Sequence, residues 1–221
     1  MKDNRYNAIL ILGPTGSGKT PLGDLLDKRG LWESRCAHFD FGASLRSIAD
    51  TGRKPHLLSD DDMAVITSVL KSGALLEDSQ FHIAQSILQS FAEDKGLGED
   101  DLLVLNGLPR HAGQADGVGT VTDVRMVVHL ECTPDVVAGR IRGNTGGDRT
   151  SRIDDAPGDI KLKLAIFDER TKPLLDYYRR NNARVEAYKV AVGTTAPDIY
   201  EWLNTLVRRE PYYGESQKKH M

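Results

Sequence analysis

The sequence predicts an α/β fold built on a mostly parallel sheet. Three observations carry that expectation. Apolar runs of strand length alternate with segments whose apolar residues recur at helical spacing, as in a parallel sheet flanked by helices. The runs at 8–12, 101–106 and 124–130 are continuous rather than alternating, which suits strands covered on both faces. The first of them, Ala8-Ile9-Leu10-Ile11-Leu12, passes through Gly13-Pro14-Thr15-Gly16-Ser17-Gly18-Lys19-Thr20 into a helical pattern carrying Leu22, Leu25 and Leu26. A strand, a glycine-rich loop and a helix start in that order indicate a P-loop NTPase-type, three-layer fold.

That loop carries the first chemical expectation. Glycines let successive backbone N–H groups converge on one spot at the positive end of a helix, which makes a nest for phosphate. Lys19 adds a mobile positive charge for the outer phosphates, and Thr20 offers a hydroxyl to Mg²⁺. An ordinary glycine-rich turn is the competing reading, and the full G-x-x-x-x-G-K-[ST] spacing in this context argues against it.

With 221 residues, 39% of them apolar, the chain can bury a full core as a single domain with insertions. Lys and Arg number 29 against 32 Asp and Glu, a net charge of −3 that gives no reason to expect a nucleic-acid partner. Two cysteines, Cys36 and Cys132, have no metal-ligand spacing and suit a reducing compartment. Residues 1–7 are polar and run straight into the strand, and no apolar run reaches membrane-spanning length. The expectation is a cytoplasmic protein without a membrane partner.

Along the chain, the first helix should end near Arg29 with Gly30 as its cap, and Pro21 is tolerated in its first turn. A short strand is expected at 36–39 and a helix from 42 to 51. Asp40 reads as a turn or helix-cap residue. Ser59-Asp60-Asp61-Asp62 announces a helix to Ser72, and Asp78-Ser79 another to about residue 94. Thr133-Pro134-Asp135 caps a further helix, and 143–151 should be loop. Pro157 opens a long helix to about Arg180, which Pro173 should kink or split. A last strand is expected at 185–192 and a last helix at 197–207, with Trp202 and Phe167 in the core. A polar tail follows. The stretch 43–93 is wholly helical between two strands and reads as an insertion beside the sheet.

Asn106-Gly107-Leu108-Pro109-Arg110 leaves the end of a strand expected beside the loop, with Gln114 four residues beyond the arginine. Arginine at that edge can grip a phosphate bidentately. Taken alone, Arg110 also reads as a solvated turn residue.

The order of motifs resembles the adenylate kinase family of nucleoside monophosphate kinases over about residues 7–207. The resemblance lies in the loop 13–20, in Gly42-Ala43-Ser44-Leu45-Arg46 and in Asn106-Gly107-Leu108-Pro109-Arg110 with Gln114. It continues in Arg140-Ile141-Arg142, Arg152-Ile153-Asp154-Asp155 and Thr171-Lys172-Pro173-Leu174-Leu175-Asp176-Tyr177-Tyr178. It implies a five-stranded parallel sheet with core segments 5–42, 94–142 and 154–209, a monophosphate-binding insertion at 43–93 and a short lid at 143–153. It implies ATP and AMP as substrates, Mg²⁺ as cofactor and a monomer.

By that resemblance, ATP lies on Gly13, Pro14, Thr15, Gly16, Ser17, Gly18, Lys19 and Thr20, with Arg140 beside it. The monophosphate contacts Gly42, Arg46, Gly107, Arg110, Gln114 and Arg152. Lys19, Arg140, Arg149, Arg152 and Lys163 converge on the transferring phosphoryl, and Thr20 and Asn106 attend the metal, Asn106 through water. Each lid cation has a plainer reading: Arg142 and Arg149 as surface charges, Arg152 as a partner of Asp154 or Asp155. Lys163 stands where the family usually has arginine and lacks its fork.

Three departures stand out. Asn106 replaces the family's aspartate and brings no charge, Asp40-Phe41-Gly42-Ala43 differs ahead of Arg46, and Lys19 is followed directly by Thr20-Pro21 where the family commonly has a small residue before its threonine. A UMP/CMP or other small-acceptor kinase, and a nucleotide-binding regulator with little turnover, therefore stay open beside an adenylate kinase. A tRNA-modifying transferase shares the Gly-Pro-Thr-Gly loop, but the second half of the chain does not suit it.

Overall fold

The computed structural model describes residues 5–148 and 157–206. Five strands form one sheet: β1 (Tyr6–Leu12), β2 (Cys36–Asp40), β3 (Leu102–Asn106), β4 (Thr122–Glu131) and β5 (Arg184–Lys189). Their order is β2-β3-β1-β4-β5, and every neighbouring pair is parallel. The continuous apolar character of β1 follows from this centre position. Ala8, Leu10 and Leu12 face one core, while Ile9 and Ile11 face the other. Both faces are dry, so no polar alternation is needed.

Helix α1 (Lys19–Arg29) packs on the second face with Leu22 and Leu26, and Gly30 ends it at φ 72° with its N–H on the Leu26 carbonyl. Between β2 and β3 lie α2 (Phe41–Thr51), α3 (Asp60–Ser72), a 3₁₀ turn (Asp78–Gln80) and α4 (Phe81–Asp94), helices where the sequence predicts them. Ser59 caps α3 through the Asp62 N–H, and the Asp62 side chain accepts from the Ser59 N–H in return. That reciprocal pair, together with His82, holds the Asp62 carboxyl well below its usual range, at about 2.

Helix α5 (Ala112–Val121) was not expected from the sequence, because Gly113, Gly117 and Gly119 depress helix propensity there. Packing explains it. A Cβ at Gly117 would collide with the Phe81 ring, and one at Gly113 with the Asp78 carboxylate. The glycines give up local propensity for close approach to α4 and the turn before it.

Helix α6 (Pro134–Arg142) follows β4, capped by Thr133. The long C-terminal helix is interrupted as Pro173 requires: α7 (Pro157–Ile166) passes through a π-helical turn (Phe167–Thr171) to α8 (Leu174–Arg180). Strand β5 stops at Lys189 instead of residue 192. Val190 still donates to the Glu131 carbonyl at 2.8 Å, but the carbonyls of Ala191, Val192 and Thr194 turn toward Arg140. Helix α9 (Ala196–Thr205) closes the second core, with Trp202 against Tyr188 as expected. No helix among the described residues is long and apolar enough to cross a membrane.

Candidate active site

A cleft opens at the carboxyl ends of β1, β2 and β3, where the loops leaving the strands face one another. Its walls combine the glycine loop, the start of α2, the turn after β3 and the side of α7. Most residues singled out in the sequence meet here. Lys19, Thr20, Gly42, Arg46, Asn106, Gly107, Arg110 and Lys163 all line it. Phe167, expected in the core, packs against the core on one side and lines the cleft on the other.

The loop is shaped by steric necessity. Gly16 and Gly18 sit at φ 77° and 98°, and a Cβ on Gly13 would lie 2.7 Å from Ser17 Oγ and 2.9 Å from the Leu130 carbonyl. Gly18 caps α1 without a side-chain acceptor, so the first-turn N–H groups of α1 are not taken by a capping side chain. Lys19 Nζ donates to the Gly13 and Pro14 carbonyls, each at 2.8 Å, which folds its ammonium over the loop. Ser17 Oγ is buried with no hydrogen-bond partner.

Arg140 stands behind this loop. It is 4% exposed; its Nε donates to Gly16 O at 2.8 Å and its Nη1 reaches the carbonyls of Ala191, Val192 and Thr194 at 2.9, 3.2 and 2.6 Å. The guanidinium thus ties the loop to the segment after β5, and Arg140 is not among the residues facing the cleft. Arg142 is exposed, in line with its plainer reading.

Arg46 reaches the cleft from α2 and Arg110 from the turn after β3, which Gly107 makes at φ 79°. Arg110 is exposed to the cleft, while surrounding protein atoms partly desolvate its guanidinium. That crowding lowers its pKa from the ordinary value while the Asp40 charge raises it, and it stays a cation. Its backbone is braced from two sides: its N–H donates to Gln114 Oε1 at 2.8 Å, and its carbonyl accepts from Thr171 Oγ1 at 2.8 Å. Gln114 is fully buried, and its Nε2 donates to the Leu76 carbonyl. It therefore stands behind Arg110 and does not line the cleft.

The feature that local reading of the sequence missed is Asp40. Its Oδ1 caps α2 by accepting from the Ala43 N–H at 2.9 Å, as a cap should. Its Oδ2 accepts from Thr20 Oγ1 and from Asn106 Nδ2, both at 2.8 Å. The Asn106 amide nitrogen also lies 3.1 Å from Thr20 Oγ1 and 3.3 Å from His38 Nε2, and His38 Nδ1 is 2.9 Å from Asp24 Oδ1. A polar signal was present in the strand-terminal Asp, but its partners lie 20 and 66 residues away in sequence.

Of the stretch 143–153, expected to be a lid, Asp148 lines the cleft, as does Lys163 of α7. Arg149, Arg152, Asp154 and Asp155 lie outside the described residues.

The AAA domain family model matches residues 9–160. Curated relatives span most of the chain. An adenylate kinase of Natronomonas pharaonis is 26% identical over 192 residues, covering 77% of this chain and 83% of that protein. One of Rhodopirellula baltica is 29% identical over 180 residues, covering 77% and 81%. One of Stenotrophomonas maltophilia is 28% identical over 191 residues, covering 80% and 89%.

Proposed function

The chain belongs to the AAA domain family, and from that premise we propose that it is a nucleoside monophosphate kinase, catalysing ATP + AMP ⇌ 2 ADP. One observation carries the reading. A single cleft is lined both by the phosphate-binding loop and by two arginines, Arg46 and Arg110. Such a cleft suits two phosphorylated ligands placed end to end. The names of the relatives, adenylate kinases throughout, supply the acceptor.

The chemistry asks for alignment and positive charge more than for a nucleophilic side chain. An oxygen of the acceptor phosphate attacks the γ-phosphorus of ATP in line, and the bond to the β–γ bridging oxygen breaks, leaving two diphosphates. The backbone N–H groups of the loop and the start of α1 hold the donor phosphates. Lys19, released from the Gly13 and Pro14 carbonyls, follows the β and γ oxygens. Arg46 and Arg110 grip the acceptor phosphate, with Gln114 and Thr171 keeping the Arg110 backbone in place. Lys163 joins the transferring group from α7, and Arg149 and Arg152 complete the positive cover. Arg140 acts through the loop it holds. Closure over the two ligands excludes water, which strengthens each charge contact and suppresses hydrolysis.

The residues present also fit Mg²⁺. A hydroxyl and a carboxylate oxygen 2.8 Å apart at Thr20 and Asp40 are hard oxygen donors of the kind that cation takes, alongside nucleotide phosphates. When bound, the ion neutralises charge building on the β and γ oxygens.

The test is turnover of a panel of AMP, UMP, CMP, GMP and dAMP with ATP and Mg²⁺. AMP is expected to be the preferred acceptor, and Lys19→Ala should reduce turnover by about 10²-fold or more. ATP binding with no conversion of any monophosphate would refute the kinase reading; preference for another base would refute AMP alone.

A further inference from the structure

We propose that Asp40 supplies the carboxylate of this chain's metal position, the negative charge having moved from the end of β3 to the end of β2. This rests on the reading above only in taking residues 13–20 as the nucleotide's phosphate site.

Asp40 and Asn106 are register partners at the carboxyl ends of adjacent strands, and Asn106 in turn pairs with Ile11 on β1. The two side chains therefore reach the same point above the sheet, beside the first turn of α1. A carboxylate can only accept, so the contact at 2.8 Å commits the single proton of the Thr20 hydroxyl to Asp40. The Asn106 amide nitrogen lies 3.1 Å from the same oxygen, so one lone pair of Thr20 faces that amide and the other is left for a cation, with the Asp40 charge beside it.

Asn106 completes the arrangement as a donor. Its amide nitrogen meets Asp40 Oδ2 at 2.8 Å and His38 Nε2 at 3.3 Å. The contact of Nδ1 with Asp24 orients the His38 ring so that Nε2 points at the amide. The ring fits only because α1 carries Gly23 at that point, where a Cβ would collide with it. An aspartate at 106 beside Asp40 would place two like charges across a hydrogen-bonding distance, where one of them is forced to stay protonated. One carboxylate and one amide satisfy the site, and here the carboxylate is on β2.

The measurement is nucleotide affinity, which needs neither acceptor nor turnover. ATP binding is followed calorimetrically in EDTA and in Mg²⁺ for the parent chain, Asp40→Asn and the exchanged double variant Asp40→Asn/Asn106→Asp. Asparagine caps a helix as well as aspartate does, so α2 keeps its start in Asp40→Asn. The parent should bind ATP more tightly with Mg²⁺. Asp40→Asn should lose about 10–100-fold of the metal-dependent affinity while its affinity in EDTA holds or improves. The double variant should recover most of the metal effect.

An Asp40→Asn protein that keeps the full metal effect overturns the proposal. So does one that loses affinity equally with and without metal, since that marks damage to the loop, or a double variant no better than the single one. If the metal effect follows Asp40 but no monophosphate is phosphorylated, the kinase reading falls and this assignment stands.

Discussion

Arg140 shows what a single buried cation does for the cleft. With one Nε bond to Gly16 and Nη1 reaching three carbonyls after β5, it joins the phosphate loop to the segment that leaves the edge strand. Arg140→Ala should lower stability by about 3 kcal/mol, from the lost charge-assisted bonds and the carbonyls left unpaired. It should also weaken ATP binding, because the loop loses its anchor. Arg140→Lys should recover only part of either, since an ammonium lacks the fork that spans both segments. Thermal unfolding and ATP titration check this; unchanged stability with weakened turnover would instead place the guanidinium at the reacting phosphates. The motif order gave Arg140 its address on a helix, but spacing does not report which way a side chain points. The same limit hid Asp40. Its capping oxygen was legible from the helix start three residues on, whereas the oxygen facing Thr20 and Asn106 depends on how three strand ends align.

At the scale of elements, the continuous strands and capped helices were readable because each announces itself within a few residues. The capping box of α3 is such a signal, and Ser59→Ala should cost about 1 kcal/mol, a shift of about 2–4 °C in Tm for a chain of this size. Helix α5 was not readable, since its glycines are explained only by what they touch. The competing terms can be weighed. Gly117→Ala gains about 1 kcal/mol of helix propensity but drives a methyl into the Phe81 ring, and overpacking costs about 1–3 kcal/mol. A net loss of stability is therefore expected, and adding Phe81→Leu should relieve part of it. A Gly117→Ala protein more stable than the parent would show that α4 and α5 are free to separate. The early end of β5 has the same kind of cause, a distant arginine claiming carbonyls that the strand pattern assigned to a ladder.

For the whole molecule, the order β2-β3-β1-β4-β5 decides function, because it brings the ends of β1, β2 and β3 together at one edge. The phosphate loop, the Asp40–Asn106 pair and Arg110 all stand at that edge, and α2 brings Arg46 to the same cleft. The bidentate Arg170–Glu77 pair, at 3.0 and 3.1 Å, ties the π-helical turn after α7 to the 3₁₀ turn before α4. Both groups are solvent-accessible, so the pair contributes more to orientation than to stability. The central claim is that one cleft holds two nucleotides and passes a phosphoryl group directly between them. The most direct test gives the protein ADP and Mg²⁺ as the sole substrate and quantifies every product. ATP and AMP should appear in equal amounts without free phosphate, and Lys19→Ala and Arg110→Ala should each suppress both. AMP accompanied by inorganic phosphate, or no turnover of ADP at all, would contradict the account.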